Sequence, residues 1–228
     1  MSTSYFTPAL FKFLNDLAAN NDRKWFNANK DRYIETVQEP ALDFITDFGP
    51  RLKAISPHFT ADARVQGGSL FRIYRDTRFA ADKTPYKTNT GVQFRHERAK
   101  DAHAPGFYLH LQPRESFMGV GLWRPETKVA YQIREAIAEN SDAWNKATRG
   151  KVFTATYHLG GDSLIRPPKG YDAEHPLIED LKRKDFIATS QLTQKTITSP
   201  DFIDDFDKLC RDASGFMAFL CDAVGVSF

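Results

Sequence analysis

Apolar residues near the start of the chain recur on one helical face. Leu10, Phe13, Leu14 and Leu17 follow Thr7 as a cap and Pro8 at the first helical position. Asn20, Asn21 and Asp22 interrupt the pattern. A second helical stretch starts near Asp22 and carries Trp25, Phe26, Tyr33, Ile34 and Val37, with Pro40 kinking it or opening the next helix. Leu42, Phe44, Ile45 and Phe48 continue the period, and Leu52 and Ile55 follow Gly49-Pro50. Residues 7–56 thus predict an N-terminal helical layer.

The pattern changes beyond Ser56-Pro57. Gly67-Gly68 marks a turn or a close approach of backbone. Gly91–Arg95 reads as a strand, and His96–Pro105 as a charged loop. Phe107–Leu111 and Phe117–Trp123 form a hairpin around Pro113–Ser116. Gly119 and Gly121 alternate onto one face of it, which leaves room for a helix or a ligand packed close. Pro125 then opens a helix with Val129, Ile133, Ala136 and Ile137 on its apolar face, and Ser141 caps a shorter one around Trp144. Val152–Leu159 is strand-like, Pro176 begins a helix to about Lys184, and Phe186–Thr189 is a short strand. Ser199-Pro200 starts a last helix carrying Phe202, Phe206, Leu209, Phe216, Phe219 and Leu220. The expected fold is one α+β domain over residues 1–228, with a central, mostly antiparallel sheet and N- and C-terminal helices packed on it. Its parts are the helical layer 7–56, a motif and sheet region 64–124, and helices with short strands over 125–228.

Composition narrows the class. With 228 residues, 41% hydrophobic and 26% charged, the chain reads as globular, and its 19 phenylalanines belong to a core. No apolar run reaches membrane-span length and the start lacks a secretory pattern, so a cytoplasmic protein without a membrane partner is expected. Cys210 and Cys221 stand in one apparent helix, too far apart along it to bridge, and read as core thiols. The net charge of +2 is too small for general nucleic-acid affinity of the whole surface. The charge is uneven, however. Phe71–Lys100 holds eight Lys/Arg against three acids.

The densest part of that block is Ser69–Asn89. Arg72, Arg75 and Arg78 offer guanidinium forks for phosphate or carboxylate, and Lys83 and Lys87 add point charges. Tyr86 and Asn89 supply neutral hydrogen bonds. Asp76 either holds an arginine or acts as a general base, and is the one candidate catalytic residue. The expected partner is a small anionic ligand, phosphorylated or carboxylate. Two other readings compete with it. In one, the block binds nucleic acid, with Tyr74 or Tyr86 exposed for stacking. In the other, the protein is structural, and the arginines form an internal ion-pair network with Asp76, Asp82 or the acid run Asp201, Asp204, Asp205 and Asp207. Residues 69–79 fit a strand or a helix equally, and Ala80–Asn89 reads as a loop. Arg166–Lys169 reads as a rigid Pro-Pro turn rather than a flap over the same pocket. His96 and His110 flank the sheet as a candidate acid/base or metal-binding pair. The histidines and cysteines show no metal-ligand spacing, and no phosphate-loop, dinucleotide or nucleophile-elbow motif occurs, so no cofactor or metal is expected. Whether a reaction is catalysed, and the oligomeric state, stay open at this level.

The run Arg72-Ile-Tyr-Arg75-Asp76-Thr-Arg78-Phe79, followed by Asp82-Lys83-Thr-Pro85-Tyr86-Lys87-Thr-Asn89, resembles the signature of a bacterial and fungal family of about this length. That family is catalogued as a domain of unknown function. The likeness extends to Trp25-Phe26 with Asn29 and Tyr33, to Pro167–Asp172, and to His175-Pro176, and so spans nearly the whole chain. It implies a single domain and points to the basic block, with no activity, cofactor or partner attached.

Overall fold

The computed structural model describes residues 4–98 and 105–228. Residues 99–104 of the expected charged loop lie outside them. The N-terminal layer consists of α1 (Pro8–Ala19), α2 (Arg23–Ala28), α3 (Lys30–Tyr33), a π-helical turn (Ile34–Gln38) and α4 (Glu39–Ile55). Thr7 caps α1 by accepting from the Ala9 amide, and Asp22 caps α2 by accepting from the Trp25 amide at 2.9 Å. Pro40 lies within the first turn of α4, directly after the π-helical turn.

Six strands follow: β1 (Phe59–Thr60), β2 (Thr90–His96), β3 (Gly106–Leu111), β4 (Phe117–Leu122), β5 (His158–Gly160) and β6 (Phe186–Gln191). They form one sheet in the order β1-β2-β3-β4-β6-β5, with every pair antiparallel. The α+β architecture is therefore the one the sequence pattern predicts. Alternation divides the sheet into two faces. Val92, Phe94, Phe107, Leu109, Met118, Val120, Phe186 and Ala188 are buried on the inner face. Phe94 meets Phe48 of α4 and Phe206 of the C-terminal helices there. The outer face carries Gly91, Gln93, Tyr108, His110, Gly119 and Thr189, and among the described residues no helix lines the hollow over it.

The remaining helices are α5 (Thr127–Glu139), α6 (Ser141–Arg149), α7 (Lys151–Thr156), α8 (Ile178–Leu181), α9 (Gln194–Ile197), α10 (Phe202–Asp212) and α11 (Ser214–Ala223). Four expectations are corrected here. Most of Val152–Leu159 is α7, because Phe153 and Tyr157, four residues apart, stack at 5.4 Å on the buried side of that turn. The helix expected from Pro176 shrinks to α8. Ser141 donates to the Ile137 and Ala138 carbonyls, closing the end of α5 instead of capping α6. The last helix breaks at Ala213, so the buried Cys210 and Cys221 sit in separate helices.

Asp185 locks the end of the sheet. Its buried carboxylate accepts from the Arg124 amide at 2.7 Å and the Asp162 amide at 2.8 Å. Gly161, at φ +90°, lies against it, and a Cβ there would fall 2.4 Å from Asp185 Cβ.

Candidate functional site

Residues 69–89 are neither helix nor strand but a folded-back excursion. Its base hydrogen-bonds to the edge of β2: the Phe71 amide donates to Gly91 O at 2.9 Å, and the Gln93 amide to Ser69 O at 2.8 Å. Further out, its two arms pair with each other through Arg75 N to Pro85 O at 2.9 Å and Lys87 N to Ile73 O at 2.8 Å. These bonds give the excursion a local ladder in place of a long strand beside it. Asn21 clamps it by donating to Tyr86 O at 2.9 Å and accepting from the Tyr86 amide at 3.0 Å. Tyr86 is buried and stacks on Phe26, with centroids 4.1 Å apart.

The cations of the excursion do not converge on one point. At its tip, Arg78 clasps Asp76 through two side-chain bonds of 3.0 and 2.7 Å. These bonds, led by the Arg78 side chain, draw the Asp76 carboxyl down to a pKa of about 2. An exposed carboxylate so held is a weak base, and its geometry commits it to Arg78. Arg75 reaches Asp82 at 2.5 Å and also Thr84 Oγ1. The Thr84 amide, then Arg75, brings Asp82 likewise to about 2. Lys83 donates to Thr77 O at 2.9 Å. Lys87 donates to Arg72 O at 3.0 Å with its ammonium 5.4 Å from the Phe71 ring centroid, and burial, then Arg72, lowers its pKa. Asn89 is half-buried beside the start of β2. Asp204 and Asp207 of the acidic run pair elsewhere, with Arg51 and Arg211.

Arg72 differs from the other arginines. It is exposed and forms no salt bridge among the described residues, although its charge helps lower the Asp76 carboxyl. It lines a cleft of about 730 Å³ between the N-terminal helical layer and the base of the excursion. Lys30 of α3 and Arg95 of β2 line the same cleft, with Tyr33, Gln38 and Tyr74, and among the described residues no Asp or Glu lines it. Gly68 shapes the rim. A Cβ there would lie 2.4 Å from Arg64 O, and Arg95 donates to its carbonyl at 3.2 Å. The π-helical turn supplies Ile34 and Gln38 to the cleft wall, and such turns recur at functional sites. Burial, then the neighbouring Tyr74, lifts the Tyr33 hydroxyl to a pKa of about 12, so it stays a neutral hydrogen-bonding group.

A family model for a conserved hypothetical protein, DUF2461, matches residues 9–219. The chain belongs to the DUF2461 family. No curated protein and no solved structure matches it.

Within this DUF2461 chain, Arg72 is the one residue of the expected set that lines the cleft. Arg75 and Tyr86 line a second hollow of about 310 Å³ with Arg23, and Tyr74 stands between the two. Reasoning along the sequence missed Lys30 and Gln38 as site residues and counted Arg95 only as charge. Strand alternation from Gly91 puts Arg95 on the outer face, and Lys30 falls between Trp25-Phe26 and Tyr33 of the resemblance. Those signals were present in the sequence, but nothing local in it joins them. His96 and His110 occupy opposite sheet faces: His96 lies against Ser227 O at 2.8 Å on the inner side, and His110 lies on the outer. Among the described residues no group of three or more His, Cys, Asp or Glu is placed to hold a metal, and no helix is long and apolar enough to cross a membrane.

Proposed function

We propose that this DUF2461 chain binds a small phosphorylated or carboxylate ligand in the cleft beside Arg72. The observation that carries the reading is the convergence of Lys30, Arg72 and Arg95 on a cleft that no carboxylate lines among the described residues. Cations gathered in one cleft outside any salt bridge among the described residues favour an anion. In this reading Arg72 forks onto the anion, Lys30 and Arg95 balance its charge, and Tyr33 and Gln38 orient it. Lys87 sets Arg72 through its bond to the Arg72 carbonyl, while Arg75, Arg78, Lys83, Asp76 and Asn89 shape the excursion that carries Arg72. Tyr86 anchors that excursion to α2.

Tyr74, 52% exposed between the two basic hollows, favours a second reading in which a single-stranded nucleic acid stacks on it. One experiment separates the two. Thermal unfolding is followed with phosphate, sugar phosphates, nucleotides, dicarboxylates and a short single-stranded DNA, in wild type, Arg72→Ala, Arg95→Ala and Arg78→Ala. A small anion at a hundredfold excess over its Kd adds about 2.7 kcal/mol of stability. That gain is expected in wild type and Arg78→Ala and is expected to vanish in Arg72→Ala and Arg95→Ala. A response to DNA alone, falling steeply with salt and lost in Tyr74→Ala, selects the nucleic-acid reading. A panel without any response refutes both.

A further inference from the structure

The outer sheet face holds a hollow of about 370 Å³ that the anion reading does not use. Its floor is Gly106, Gly119 and Gly121, and its walls include Phe71, Phe117 and Trp123. Phe71 lines both this hollow and the basic cleft, and so stands between them. Among the described residues, no Asp, Glu, Lys or Arg lines it. Its lining is mostly aromatic rings and glycine, so the hollow favours uncharged matter. The volume suits one or two fused rings.

Gly119 is the informative position. Gly121 adopts φ +111°, which L side chains avoid, and a Cβ at Gly106 would stand 3.0 Å from Phe94 O. Those two glycines are demanded by the backbone. Gly119 is not, because a Cβ there meets only ordinary contacts, the nearest 3.6 Å away on Phe117. A glycine inside a strand weakens it, and the fold gives no reason for this one. What its missing side chain provides is the space above the floor.

One polar group in the hollow has a fixed sense. The Glu115 carboxylate can only accept, so the Gln112 amide nitrogen donates to it at 3.0 Å. Gln112 Oε1 then faces His110 Nε2 at 3.0 Å as an acceptor, which puts the imidazole proton on Nε2. His110 Nδ1 is left to accept from the Tyr108 hydroxyl at 3.0 Å. Burial lowers the His110 pKa and keeps the ring neutral, which preserves this order. Tyr108 has spent its only proton, so its oxygen offers lone pairs alone to the hollow.

We infer that this hollow is a second binding site, for a flat, uncharged aromatic ring that carries a hydrogen-bond donor, with the ring over Gly119 and the donor on Tyr108 Oη. The aromatic walls and glycine floor match a planar ring, and the chain from Glu115 to Tyr108 specifies a donor on it. This site is independent of the Arg72 cleft.

The test uses indole and 1-methylindole, which differ in the N–H that Tyr108 accepts. Each is titrated into the full chain while the Gly119, Gly121 and Thr189 backbone amides are followed by NMR. Indole is expected to shift them saturably, and 1-methylindole to bind at least about tenfold more weakly. Gly119→Val fills the hollow and is expected to abolish indole binding while leaving any phosphate response of the Arg72 cleft intact. Tyr108→Phe is expected to keep ring binding and erase the difference between the two probes, which gives a reading even if Gly119→Val does not fold. Absence of saturable shifts with indole, unchanged binding in Gly119→Val, or equal affinity for the two probes in wild type would overturn the inference.

Discussion

Phe26 and Tyr86 lie face to face, with ring centroids 4.1 Å apart and planes 23° from parallel. This contact, with the Asn21 clamp, ties the basic excursion to the N-terminal helices. Removing the Tyr86 ring opens a buried gap at the joint. Tyr86→Ala is expected to cost about 3 kcal/mol, and Asn21→Ala about 1–2 kcal/mol for two lost backbone partners. Urea unfolding measures both. A Tyr86→Ala loss below about 1 kcal/mol would mean that the excursion holds itself in place.

The Arg78–Asp76 pair sits at the tip, with the guanidinium largely in water. Exposed pairs contribute little. Arg78→Ala is expected to leave unfolding stability indistinguishable from wild type in urea unfolding. A large loss would show that the tip is part of the cooperative unit.

Both tip carboxyls titrate unusually low. Asp76 and Asp82 stand at about 2, against an ordinary value of 3.8. Folded pKa values below the unfolded ones mean that the pairs support the fold above about pH 4 and lose that support as pH falls toward 2. Carbon-detected NMR titration should give midpoints near 2 for these two aspartates. In Arg78→Ala the Asp76 midpoint should rise while that of Asp82 stays. Movement of both together would mean that the tip is one coupled network.

Asp185 accepts two backbone amides from a buried position. Asp185→Ala orphans both donors, and a loss of about 2–4 kcal/mol is expected on unfolding. Gly161→Ala should be comparably damaging, since a Cβ there collides with Asp185 and the backbone is left-handed. Wild-type stability in either variant would refute the lock.

Burial raises both thiols, Cys221 to about 12 and Cys210 well above its ordinary value. Neither offers a thiolate near neutrality. A disulfide reagent at pH 8 should label neither in the native protein and both after denaturation. Fast native labelling of either one would mean that the C-terminal helices open readily.

The strands around the hairpin were legible because alternation there is strict, and Phe107–Leu111 facing Phe117–Leu122 follows directly from it. Val152–Thr156 read as strand because Val, Phe and Thr favour sheets. Burying Phe153 and Tyr157 on one side, with the Tyr157 hydroxyl donating to Leu209 O at 2.9 Å, outweighed that preference. The excursion at 69–89 escaped both periods because its structure is set by Asn21, β2 and irregular contacts of its own side chains, none of which repeats with a helix or strand period. The concentration of charge was visible, but its division was not. Arg75 and Arg78 find acids within a few residues, whereas Arg72 meets Lys30 and Arg95 only after the chain has folded.

The sheet's outermost strands are its shortest, with β1 covering Phe59–Thr60 and β5 covering His158–Gly160. A foreign strand laid against either rim would form only a few backbone bonds, too few to offset the entropy of ordering it. Length alone thus guards the rims against growth into fibrils, and extending β5 by a few β-branched residues would remove that guard.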